Sequence, residues 1–177
     1  RLLADPTSGV ARPNYSVGNV VLALELDSMG SIKRAVPLGT QKGKNIVGLK
    51  IKVPEAVKRS SGDSPNFLCD NIEYMVGVRA GSIDPDERSL RRRHLCRELH
   101  ERILGDVDDD GARAVLAFLS RETADLLSDN ALKTALDILS LGGNMVFRLS
   151  GDDRYIHDRP AVMGAWERYK DSEAPDA

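Results

Sequence analysis

The chain has 177 residues, enough for one domain or a compact pair, and at that size folding buries roughly 70% of the surface an unfolded chain exposes. It is 41% hydrophobic and 29% charged, the balance of a soluble globular protein, and no run approaches the ~18 consecutive apolar residues of a membrane span. The formal net charge of −2 argues against a generic polyanion binder and directs attention to how the charge is distributed.

The distribution is uneven. Between Ser31 and Ser60 stand Lys33, Arg34, Lys42, Lys44, Lys50, Lys52, Lys58 and Arg59 against one acid, Glu55, a net +7. The compensating acids lie later, in Asp106–Asp110 and near the C-terminus. A local basic surface can hold phosphate on a mildly acidic chain. Lysine on the outer face of edge strands accounts for the same pattern without any ligand.

In chain order, Val20–Leu26 ("VVLALEL") reads as a strand. "DSMGS" is a turn, and "IKRAVPL" returns as a second strand to make a hairpin. "TQKGKN" reads as a loop bearing glycine and lysine. In "IVGLKIKV", Leu49, Ile51 and Val53 point one way and Lys50 and Lys52 the other. "KRSSGDSP" is a polar connection. Asp84, Asp86 and Glu87 suit a helix start, followed by a helix to about Leu104. Its apolar face is expected to carry Leu95, Cys96, Leu99 and Ile103, with Arg93, Arg97 and His100 on another side. "GARAVLAFLSRET" and "DNALKTALDILS" read as further helices and "NMVFRL" as a late strand near 144–149. In the last helix, Asp158 is expected to cap and Pro160 to occupy the first turn. The expected fold class is α+β: a small antiparallel sheet at the N-terminus followed by a mainly helical region. Residues 1–80 are expected to form a basic antiparallel-sheet region and residues 81–177 a mainly helical one.

Three patterns point to catalysis or metal and do not hold. "DVDDDG" places Asp106, Asp108, Asp110 and Gly111 as in a calcium loop, but the closing position holds Ala117 instead of Glu, so a helix-capping turn is expected. His157–Asp158 is an HD dipeptide, yet the other histidines, His94 and His100, do not share a helix face as ligands at i and i+4 would. Arg91, Arg92 and Arg93 suit either a phosphate clamp or a solvated face paired with Glu87, Glu98 and Glu101, and the second is favoured. No nucleophile motif or phosphate loop is present, so no enzyme, cofactor or metal site is expected. Cys69 and Cys96 lack metal or disulfide spacing and read as buried hydrophobes of a cytoplasmic protein; no signal peptide is expected.

Three stretches, "LLADPTSGVARPNYS", "PNFLCDNIEYMVGV" and "GDDRYIHDRPAVMGAW", resemble in that order the N-terminal part of the large subunit of the type I-C CRISPR surveillance complex, Cascade. Members of that family are considerably longer than this chain. The resemblance implies a non-catalytic role. In such complexes CRISPR RNA pairs with target DNA, while the large subunit holds the flanking PAM duplex, starts strand separation and helps recruit a nuclease–helicase. Its partners would be double-stranded DNA, the CRISPR RNA through the complex, other Cascade subunits and that nuclease–helicase.

Under that reading Lys42, Lys44, Lys50 and Lys52 are candidate phosphate contacts, which position without specifying. Asn66 and Asn71 are candidate PAM readers, because a carboxamide offers both donor and acceptor. The alternative for both is local: Pro65–Asn66 as a turn and Asp70 or Asn71 as a helix cap. The basic window contains no aromatic residue, which favours backbone contact over stacking on unpaired bases. The alternative for the whole chain is a scaffold subunit that contacts neighbouring proteins and little DNA.

Overall fold

A computed structural model of the chain describes residues 12–59 and 62–173. Most of the first resembling stretch lies outside these residues.

The long strand β1 (Tyr15–Leu26) organises the sheet. Its first half pairs antiparallel with β5 (Leu49–Pro54), from Tyr15↔Pro54 to Val20↔Leu49. Its second half pairs antiparallel with β2 (Ile32–Pro37) and parallel with β6 (Asn144–Leu149). The sheet is therefore mixed and not wholly antiparallel: the late strand joins β1 from the far end of the chain. The reason lies in "VVLAL", Val20 to Leu24, every residue of which is at most 1% exposed. A strand buried on both faces reads as a continuous apolar run, and such a strand needs neighbours on both edges to pair its backbone.

One face of the sheet packs on the helices. Leu22, Leu24 and Leu26 share a core with Phe118, Leu119, Leu136, Met145 and Phe147. Phe118 and Phe147 meet edge to face with ring centroids 5.4 Å apart. A smaller cluster on the other side joins Val20, Ala23, Val53, Cys69 and Val146.

"TQKGKN" is not a loop. Thr40–Lys42 (β3) and Asn45–Val47 (β4) pair as a short antiparallel finger, turned by Gly43 and Lys44. Gly43 takes φ +62° at the first central position, the glycine placement that a II′ hairpin turn demands.

The helices follow: α1 (Ile72–Met75), α2 (Glu87–Leu104), α3 (Asp110–Leu119), α4 (Thr123–Leu127), α5 (Asn130–Ser140) and α6 (Pro160–Glu173). Asp86 and Ser89 form a reciprocal capping box at the start of α2. Asp109, inside the acidic run, caps α3 through Ala112 N–H at 3.0 Å and receives the Arg159 guanidinium. Asp158 does not cap α6. It lies in a single 3₁₀ turn, Ile156–Asp158, that precedes the helix.

Two residues of α2 depart from expectation. Arg93 and His100 face inward and are buried with Cys96 and Ile103, while Leu95 and Leu99 are half-buried. Arg93 donates to Met75 O (3.1 Å), Phe118 O (3.0 Å) and Arg121 O, carbonyls at the C-terminal ends of α1 and α3 and just beyond. A guanidinium with five donors can satisfy several such carbonyls at once, which makes its burial tolerable. Arg91 and Arg92 pair with Asp63, and Arg92 also with Glu73; these replace the glutamates expected from helical spacing.

Candidate nucleic-acid interface

The stretch "SPNFLCDN" sets polar residues against core because those residues wire the loop in place. Asp70 is fully buried and holds three donors: Arg59 Nη2 at 2.5 Å, the Asn66 N–H at 2.9 Å and the adjacent Asn71 N–H at 2.8 Å. Burial raises the Asp70 pKa against the pull of Arg59 and these N–H groups. Asn66 Oδ1 accepts the Val57 N–H at 2.8 Å. Asn71 is the N-cap of α1 and accepts from Glu73 N (3.0 Å) and Tyr74 N (3.4 Å).

Leu68 sits at φ +58°, costly for a branched residue, and its N–H donates to His100 Nε2 at 3.0 Å. His100 Nδ1 is 2.7 Å from Cys96 O. Only the neutral tautomer with hydrogen on Nδ1 serves both bonds, and burial lowers the His100 pKa to about 4. Phe67 stacks between His100 (5.1 Å) and Trp166 (5.0 Å), and Trp166 Nε1 donates to Asn14 O at 2.7 Å. The described ends of all three resembling stretches thus meet around Phe67 and Trp166.

The basic window divides in two. Arg34, Lys52 and Arg59 have carboxylate partners in Glu25, Asp158 and Asp70. Lys33, Lys42, Lys44, Lys50 and Lys58 are exposed and have no ion pair among the described residues. Lys42 and Lys44 stand on the β3–β4 finger, and Lys50 is near its root on β5. Lys52 points to the same side of the sheet as Lys50 but is held there. Its Nζ lies 3.2 Å from Asp158 Oδ1 and 5.0 Å from the centre of the Tyr15 ring. Its carbonyl accepts from His157 Nε2 at 2.9 Å.

The HD dipeptide is therefore a clamp on β5. His157 is buried and stacked on Tyr155, and desolvation lowers its pKa. No group of three or more His, Cys, Asp or Glu is arranged to hold a metal among the described residues. The buried thiols of Cys69 and Cys96 have pKa values pushed up by desolvation, to about 12 for Cys69, so they do not supply thiolate. No helix among the described residues is long and apolar enough to cross a membrane.

Sequence reasoning placed Lys50 and Lys52 on one face of a strand but took Lys42 as a loop residue and did not separate Lys52 from the others. The only signal for that separation was the HD dipeptide itself, whose role depends on contact over more than a hundred residues, His157 to Lys52 spanning 105. It also passed over Asn19, the polar residue of β1 just before the apolar run Val20–Leu24.

The fold and this surface define an α+β module that carries an exposed lysine finger on a mixed sheet. The model of one family, described as CRISPR-associated protein (Cas_Csd1), matches residues 1–177. The chain belongs to that family, the one its three stretches resemble, and is thereby a CRISPR-associated Cascade subunit of the large-subunit type. No curated protein matches the chain.

Proposed function

We propose that this chain is the part of the Cascade large subunit that grips the PAM-flanking duplex, with Lys42, Lys44 and Lys50 on its phosphates, and that it performs no catalysis itself. The observation that carries the reading is the finger: exposed ammonium groups without internal partners, on a hairpin free of aromatic side chains, within a family of CRISPR-associated proteins. Unpaired lysines on a strand and a tight turn can approach a sugar–phosphate backbone without first giving up an internal partner. Strand separation and nuclease–helicase recruitment follow from holding the duplex at the edge of the RNA-paired region. Asn66 and Asn71 remain candidate readers through Nδ2, since Oδ1 of each already accepts a backbone N–H. Such a group can meet acceptors at a base edge but cannot bond adenine in bidentate fashion without giving up its present bond.

The test is binding of the assembled complex to target duplex as a function of salt. Removing one lysine from a phosphate lowers the slope of log K against log salt by about 0.9. Lys42→Ala, Lys44→Ala and Lys50→Ala each reduce the slope and weaken binding for every flanking sequence. Lys52→Ala leaves the slope nearly unchanged, because that ammonium is already paired with Asp158. If charge reversal at Lys42, Lys44 and Lys50 together leaves DNA binding intact and disturbs only assembly with neighbouring subunits, the chain is a scaffold and the duplex reading is wrong.

A further inference from the structure

Asn19 lies on β1 directly opposite Lys50 of β5, so the two side chains share one face of the sheet. That face also carries Val17, 63% exposed, and Lys52 across from it. The Asn19 backbone is fixed: its carbonyl accepts Asn144 Nδ2 at 3.1 Å, tying it to the start of β6. Its own carboxamide has no hydrogen-bond partner among the described residues. Gly48, the residue between β4 and β5, makes room for it. A Cβ at Gly48 would stand 2.9 Å from Asn19 Oδ1 and 2.7 Å from Val20 O. The carboxamide therefore lies at the root of the lysine finger.

Asparagine is disfavoured within strands. The Asn19 carboxamide is half-buried but not sealed from solvent, so it is open to a partner from outside the chain. Asn66 and Asn71 are the reverse case: their oxygens hold up the 57–74 region, and they sit in a loop wired to α1 and β6.

We infer that Asn19, at the root of the β3–β4 finger and beside Lys50, is the side chain that reads a base-pair edge of the bound duplex. The inference rests on the duplex reading above and assigns specificity within it. The carboxamide keeps both donor and acceptor free, so it can form a bidentate contact with adenine or bond minor-groove acceptors. Lys50 across the strand, and Lys42 and Lys44 on the finger, would hold the rails on either side of that contact.

The experiment uses assembled Cascade and a pool of target duplexes with randomised flanking bases, read by which flanks remain bound. Asn19→Thr removes the carboxamide and keeps a side chain suited to a strand; Asn19→Ala is its companion, and thermal melting confirms that both fold. The expected result is a fall of about 5- to 150-fold in the preference for the favoured flank, with the salt slope unchanged. Lys42→Ala and Lys44→Ala, run beside it, lower the slope and keep the preference. Full flank preference in both Asn19 variants overturns the inference, and does so most directly if Asn66→Ala or Asn71→Ala abolishes it. If the lysine variants bind DNA as the parent does, the duplex reading fails instead.

Discussion

Replacing His100 by glutamine tests the loop wiring through its pH dependence. The ring is fully buried, with a pKa of about 4 in place of an ordinary value near 6.5, because the imidazolium is desolvated and can no longer accept the Leu68 N–H. The unfolded chain therefore binds a proton that the folded chain refuses between pH 6.5 and 4. Stability contributed by the neutral ring is complete above pH 6.5, declines as pH falls and is gone below about 4. Linkage with these values gives a loss of about 1.4 kcal/mol at pH 5.5 and about 2.5 kcal/mol at pH 4.5, relative to pH 8. Urea unfolding of parent and His100→Gln at pH 8, 6.5, 5.5 and 4.5 isolates this group, since every other titration is common to both and cancels in the difference. The variant is less stable at pH 8 and loses its disadvantage as the pH falls, so the two stabilities converge. Curves that stay parallel down to pH 4.5 would show that His100 is not held neutral by burial, and the tautomer argument for Leu68 would fall with it.

Arg59→Ala leaves the Asp70 carboxylate buried with only backbone donors and is expected to cost about 3 kcal/mol at pH 7, measured by denaturant midpoint; Arg59→Lys recovers part of that stability. Asn71→Ala removes the cap of α1 and costs about 1 kcal/mol, whereas Asn71→Asp keeps an acceptor and restores most of it. Phe67→Ala empties the slot between His100 and Trp166 and lowers stability by about 3–5 kcal/mol, with quenching or a shift of Trp166 fluorescence as an independent reading. Arg159→Lys exchanges a guanidinium that spans Asp109 and Asp152 for a single ammonium, and lowers the melting temperature by a few degrees, on the order of 1 kcal/mol.

Much of the fold is legible in local pattern. The sequence bounds β6 residue for residue, and β1, β2, α3 and α5 within a few positions, because apolar period and capping residues agree there. Three kinds of feature escape. Partner choice in the sheet is not a local property, so "NMVFRL" reveals a strand but not its parallel place beside β1. Buried polar residues invert the usual face assignment: Arg93 and His100 look solvent-facing until the carbonyls and the Leu68 N–H they serve are known. Elements of one turn, such as α1, the Ile156–Asp158 turn and the β3–β4 finger, are too short to show a period. For the interface, the lysines are visible as charge, but which of them is free depends on Asp158, far along the chain. The asparagines near the core are visible too. Their oxygens are in service, and the amide with none of its capacity used lies in a strand where attention goes to the valines.

The parallel pairing of β6 with β1 has a consequence for synthesis. Asn144 reaches Asn19 across 125 positions, so one edge of the most apolar strand must wait for β6 to leave the ribosome. At about 5–20 residues per second the nascent β1–β2 hairpin stays open on that side for roughly 6–25 s, a period in which another sticky strand can claim it. A holding chaperone or early engagement by a sister subunit would each guard that interval. Truncation anywhere before residue 149 should yield inclusion bodies and not a smaller folded protein.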